Sequence, residues 1–361
     1  MRVLHVAYSS DPAAGVARQM AAEQVAADRC ELDWKARFFV PAGTDGAVCV
    51  HARSTADNRL AFKREYYRWL TAELRECDVL LLRYLRYDPM QLWFLARAKK
   101  PVFLVHHTLE GPQILQEGGS GARFKHWLDK TMVRRCHALS TGLVAVTEEV
   151  AAHQRDRGAL PASSFLYPNG IAYDTLPSDR PRLHKVTPRM LFVASRFVEW
   201  HGLDLLVDAA RRSHADFRVD IVGELSQAQR EALAADARFV VHGSLPIAEV
   251  ESIAARCGLG LGSFALFRKD MYQACTLKVR EYLLAGLPVF AGHADVFDES
   301  LKWYRHGECE IEAMLDFLRE CGDVSRRRVA EDARSWIDKE RLLTQLHDSL
   351  REVCDRTLSN T

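Results

Sequence analysis

The 361-residue chain reads as an α/β protein of two Rossmann-like domains facing across a cleft. Three observations predict this. Short apolar runs alternate with helix-period segments along the whole length. A polar, proline-rich stretch, Pro177–Pro188, interrupts the alternation and reads as a linker. After it the series of strands starts afresh, in a chain too long for one ordinary core.

In the first half the expected strands are RVLHVAY, WKARFFV, DVLLLRY, PVFLVHH, GLVAVT and SFLYP. Helical patterns such as GVARQMAAEQVAA and RLAFKREYYRWLTAELREC lie between them. In the second half the strands are RMLFVAS, FRVDIVG, RFVVHG, GLGLGSF and LPVFAG. They are separated by GLDLLVDAARR, QAQREALAADA and IAEVESIAARC. The expected domains are residues 1–176 and 189–324, with residues 177–188 between them. A charged helical stretch, 325–361, is expected to pack back on the first domain. Ligands in such folds sit at the carboxyl ends of the strands.

Composition narrows the function classes. Net charge is +1, which argues against a nucleic-acid partner. The charge is uneven, with 23 Lys and Arg against 18 Asp and Glu in residues 1–172. Nine scattered cysteines without metal-ligand spacing suggest a reducing, cytoplasmic setting. No apolar run reaches the ~20 residues of a spanning helix. No bound cofactor or metal is expected, since no G-x-G-x-x-G follows a strand and no Asp-x-Asp occurs.

The most informative segment is ACTLKVREYLLAGLPVF, Ala274–Phe290. Thr276 suits the cap of a helix whose free amides, from Leu277 onward, would meet an anion beside Lys278. Glu281, one turn on, is wrong for phosphate but right for two hydroxyls of a ribose. A solvated Lys-Arg-Glu face is the alternative. In VASRFVEWHGLDLLVDA, Arg196 follows a strand as a fork for phosphate oxygens, and His201 opens the next helix as a second positive donor. In VHHTLEG, His107 follows a strand with Glu110 behind it.

These motifs resemble the retaining glycosyltransferases of GT-B fold, the large group 1 (family 4-like) family that includes bacterial polysaccharide and lipopolysaccharide transferases. The resemblance rests on Arg196 with WHGLDLLVDA, VDIVG ending at Gly223, VVHGSLP, LKVREYLLAGLPV and YPNGI. It implies metal-independent transfer of a sugar from a nucleoside-diphosphate sugar to a glycan or lipid-linked glycan acceptor, in cell-surface polysaccharide or glycolipid synthesis. It also implies a donor site of Gly15, Arg196, His201, Gly223, Gln273, Thr276, Leu277, Lys278 and Glu281, with His107, Arg196 and His201 at the reaction centre. The chain departs from the family pattern at Gln273, where a first glutamate is usual, at His201, where Lys is usual, and at Ala14 in a loop usually rich in glycine. An inactive binding subunit and a sugar-nucleotide epimerase therefore stay open as alternatives. Finally, Gly121–Leu139 interleaves Arg123, Lys125, Lys130, Arg134 and Arg135 with Phe124, Trp127, Leu128 and Met132. Such a helix suits the anionic inner face of a cell membrane, unless its apolar stripe packs on the sheet.

Overall fold

The computed structural model describes residues 1–9, 14–42, 50–56, 58–116, 118–119, 121–158, 163–174, 176–177 and 187–359. The chain divides into two compact units, 1–172 with 339–361, and 173–338. Most of the expected linker lies outside the described residues.

The first unit contains β1 (Val3–Tyr8), α1 (Ala14–Arg29), β2 (Trp34–Pro41), β3 (Val50–Ser54), α2 (Arg59–Glu76), β4 (Val79–Arg83), α3 (Pro89–Leu95) and β5 (Val102–His106). It continues with α4 (Glu110–Gln116), α5 (Ala122–Leu139), β6 (Gly142–Ala145), α6 (Glu148–Arg157) and β7 (Ser163–Leu166). Its seven strands run parallel in the order β3-β2-β1-β4-β5-β6-β7. The near-continuous apolar runs of β1, β4 and β5 follow from burial on both faces. Local chemistry sets the helix starts. Asn58 accepts from the Ala61 amide, Thr147 from Val150, and Asp88 from Met90 with Pro89 at the first turn.

The second unit contains β8 (Arg189–Arg196), a single 3-10 turn at Glu199–His201, α7 (Leu203–Arg212), β9 (Arg218–Glu224), α8 (Gln227–Ala234), β10 (Phe239–Gly243), α9 (Ile247–Ala254) and β11 (Leu259–Leu261). Then come α10 (Leu277–Leu284), β12 (Val289–Ala291), β13 (Tyr304–His306), α11 (Ile311–Glu320) and α12 (Arg326–Ile337). Six parallel strands lie in the order β10-β9-β8-β11-β12-β13. The helical stretch expected over 325–361 divides: α12 packs on α10, while α13 (Lys339–Ser359) packs on α1 and β7 in the first unit.

Both sheets reverse strand order beside their first strand, between β1 and β4 and between β8 and β11. A crevice opens at the carboxyl ends of such a pair, the usual ligand place in an open α/β sheet. Among the described residues no helix is long and apolar enough to cross a membrane.

Candidate functional site: unpartnered buried polar atoms around α10

At the β8/β11 switch point the loops after the two strands are tied together. The Phe264 amide donates to the His201 carbonyl at 2.9 Å, and Ala265 to Trp200 at 3.3 Å. Gly202 makes this possible. Its φ is +73°, and a Cβ there would stand 2.9 Å from the Phe264 Cβ. The His201 Nδ1 accepts the Val198 amide at 3.0 Å, which leaves Nε2 to carry the proton. Burial, then Lys278 and Lys269, push the His201 pKa down to about 3. The expectation of a second positive charge is therefore corrected: His201 is a neutral N–H donor beside Lys278.

Thr276 occupies the N-cap position of α10, as expected, with extended backbone. Its hydroxyl, however, caps nothing: the buried Oγ1 has no hydrogen-bond partner. The Lys278 Nζ is buried and unpartnered as well, 5.2 Å above the Phe192 ring. Burial pulls its pKa down to about 7, with Glu281 offsetting part of the shift. A third orphan is the His293 Nε2, which no sequence motif marks. Its Nδ1 donates to the Ala294 carbonyl at 2.9 Å, and burial chiefly lowers its pKa. Three buried polar atoms without partners are costly in a native core, and these three belong to α10 and the loop after β12.

Two other side chains of this segment are tied into the fold. Arg280, which the alternative reading put on a solvated face, is fully buried and forks onto Asp295 at 2.6 and 2.5 Å. Gln273 donates to the Asp295 carbonyl at 3.1 Å and bridges Ala294. α10 ends at Leu284, and Gly286, with a φ of +74°, turns the chain towards Pro288 and β12.

The remaining predicted residues fall as follows. Arg196 ends β8 with its side chain 70% exposed, its Nε held by Glu224 at 3.0 Å. Gly223 is required by packing, since a Cβ would lie 1.7 Å from the Ala194 carbonyl oxygen. Gly15 sits exposed in the first turn of α1 with open space around it, while residues 10–13 before it lie outside the described residues. In the first unit, Glu110 does not stand behind His107. Strand alternation turns His106 to the opposite face, and Glu110 Oε1 binds the His106 Nδ1 at 2.8 Å.

No protein-family model and no curated protein sequence matches the chain. Solved structures do. The Anabaena HepE in complex with UDP and glucose superposes with a TM-score of 0.63 at 16% identity, covering 98% of this chain and 100% of that one. Sucrose-phosphate synthase from Thermosynechococcus elongatus gives 0.65 at 14% identity, over 98% and 99%. WaaG, a glycosyltransferase involved in lipopolysaccharide biosynthesis, gives 0.58 at 17% identity, over 96% and 98%. With two doubly wound parallel sheets and near-complete coverage by these structures, the chain has the GT-B glycosyltransferase fold.

Proposed function

We propose that this protein is a retaining, metal-independent glycosyltransferase that moves a sugar from a nucleoside-diphosphate sugar to an acceptor hydroxyl, in the synthesis of a cell-surface polysaccharide or glycolipid. The observation that carries the reading is the pair of unpartnered buried atoms, Thr276 Oγ1 and Lys278 Nζ, at the start of α10. A diphosphate supplies acceptor oxygens to both, to the free amides of the first turn and to the neutral His201 donor. Glu281, one turn along, accepts from the ribose hydroxyls. As the bond to the sugar breaks, the charge growing on the diphosphate is held by Lys278 and the helix end. Catalysis is then positioning plus electrostatics, without a covalent nucleophile. HepE, of the same fold, binds UDP and glucose, which supports a sugar nucleotide as donor.

Attachment to an anionic membrane is part of the proposal. Phe124 and Trp127 are 63% and 59% exposed and stack at 5.9 Å, so they do not pack on the sheet. Arg123, Lys130, Arg134 and Arg135 share that exposed face of α5, and none pairs with a carboxylate among the described residues.

The deciding experiment incubates the protein with UDP-, GDP-, ADP- and dTDP-sugars and a mixed glycan acceptor. Release of nucleoside diphosphate coupled to acceptor glycosylation is expected. Binding without turnover of any donor would instead make it a binding subunit, and an inverted free sugar nucleotide would make it an epimerase.

A further inference from the structure

The first sheet has its own switch point, between β1 and β4, and its chemistry is unassigned. The register pairs His5 with Leu81 and Arg83 with Val105. His5, Arg83 and His107 therefore project from one face, the face packed by α1 and α13 through Val3, Leu81, Phe103 and Leu343. Lys339, the first residue of α13, joins them. Four nitrogen-bearing side chains thus gather beside the carboxyl ends of β4 and β5 and the middle of β1.

One buried carboxylate, Glu23, serves this group, and it is fully committed. It binds the His5 Nδ1 at 2.6 Å, the Trp34 Nε1 at 2.9 Å, the Tyr167 hydroxyl at 3.0 Å and the Lys339 Nζ at 3.6 Å. Glu110 is engaged on the opposite face by His106, Gln154 and Arg157. Arg83 is left over. Its half-buried side chain makes no hydrogen bond or ion pair with any described residue, although its carbonyl accepts from the Gln91 amide at 3.1 Å. Burial pushes the Arg83 pKa down and Glu110 offsets only part of that shift, so the guanidinium fork keeps hydrogen-bonding positions that no side chain of the protein fills. Arg offers a planar fork that matches phosphate or carboxylate. Beside it His107 stays neutral, because burial and the Arg83 charge push its pKa well below the usual histidine range.

We propose that the β1/β4 switch point is an anion subsite anchored by Arg83, with His107 as its neighbour, and that it takes a phosphate or carboxylate group borne by the acceptor. The word acceptor rests on the glycosyl-transfer reading above; the anion site does not. The donor diphosphate has its own cradle in the other unit, so the two anion sites are separable by mutation.

The test is calorimetric titration of the full chain with inorganic phosphate, glucuronate and UDP, in the wild type, Arg83→Gln and Lys278→Ala. Arg83→Gln should weaken phosphate and glucuronate roughly 10–100-fold, the scale of one charged hydrogen-bonded pair, and leave UDP unchanged. Lys278→Ala should do the reverse, keeping a glucuronate site while losing UDP. Unaltered phosphate and glucuronate binding in Arg83→Gln overturns the subsite, as does loss of both anions in Lys278→Ala alone. Should UDP ignore Lys278→Ala, the donor assignment fails while the Arg83 result still stands. Because Arg83→Gln removes an unpaired charge, it should melt at or above the wild-type temperature without ligand. A clearly lower melting temperature would mean that Arg83 holds the fold, and would also overturn the proposal.

Discussion

The two units each bury a polar cluster against their sheet, and the clusters end in opposite states. In the first unit Asp129 accepts from the Tyr84 hydroxyl at 2.9 Å and the Tyr87 amide at 2.8 Å, and it pairs with Arg157. Arg157 reaches Glu110, which also takes Gln154 and His106, and the His106 Nε2 meets His137 at 3.2 Å. Burial alone would raise the Glu110 carboxyl, yet His106 and Arg157 hold it down to about 2. Around α10, by contrast, Thr276, Lys278 and His293 keep buried atoms without partners. A saturated network stiffens a fold, whereas unpartnered buried atoms cost free energy in the unliganded protein. Titratable groups are common to both places, so the state of their bonding, not residue type, distinguishes these two clusters.

The largest expected effect breaks the saturated side. Asp129→Ala strands the buried Arg157 charge and should cost about 3–5 kcal/mol of unfolding free energy in a urea titration. Lys278→Ala removes a buried charge that has no partner, so the unliganded protein should lose nothing. A comparable loss in both variants would erase the distinction drawn above.

Activity should invert that order. Lys278→Ala is expected to lower turnover roughly 10²–10³-fold, the scale of one lost electrostatic donor, as read from diphosphate release. Arg196→Ala sharpens the comparison. It should match that loss if the exposed fork leaves Glu224 for phosphate, and near-normal turnover would place Arg196 outside the site.

Next comes pH. Lys278 titrates near 7 in the unliganded fold and near 10.4 unfolded. The unfolded chain therefore binds more protons across that window, and this group makes stability rise as pH climbs from about 7 to about 10. Nucleotide binding runs the other way, because the diphosphate favours the ammonium form. Calorimetry of UDP at pH 8.5 in two buffers of different ionisation enthalpy should show uptake of nearly one proton, absent in Lys278→Ala. No uptake in the wild type would mean that the diphosphate does not reach the amine.

Much of this was legible in the chain, and what was missed has physical reasons. Apolar runs buried on both faces announce parallel strands, so the central strands of both sheets are found. The edge strands β3 and β13 are not, because VHARS and YRH carry polar residues and little length. Thr276 and Lys278 were visible through helix-start chemistry. The Arg280–Asp295 pair and the His293 orphan were not, because they arise where α10 folds against the loop after β12, fifteen and more residues away. The pairing of Glu110 with His106 rather than His107 was legible in principle, since alternation along β5 already sends neighbouring side chains to opposite faces.

The smallest expected effect concerns the outer side of the saturated network. Asp129 is fully buried on α5 and ties that helix down through Arg157, Tyr84 and Tyr87, which fixes the rotation of the helix. With that face taken, Phe124 and Trp127 are turned outward among unpaired cations. Each Lys or Arg near an anionic surface is worth about 1 kcal/mol, so several together support attachment that salt reverses. Co-sedimentation with vesicles containing phosphatidylserine or phosphatidylglycerol should therefore pellet the wild type at low salt and release it at high salt. Changing Lys130, Arg134 and Arg135 to Glu should abolish pelleting while leaving the melting temperature within a few degrees, because these side chains carry none of the network. Trp127→Ala should weaken binding that remains at high salt, since the aromatic contribution is not screened. A wild-type protein that stays in the supernatant with anionic vesicles at low salt would show that the outward face of α5 meets something other than a membrane.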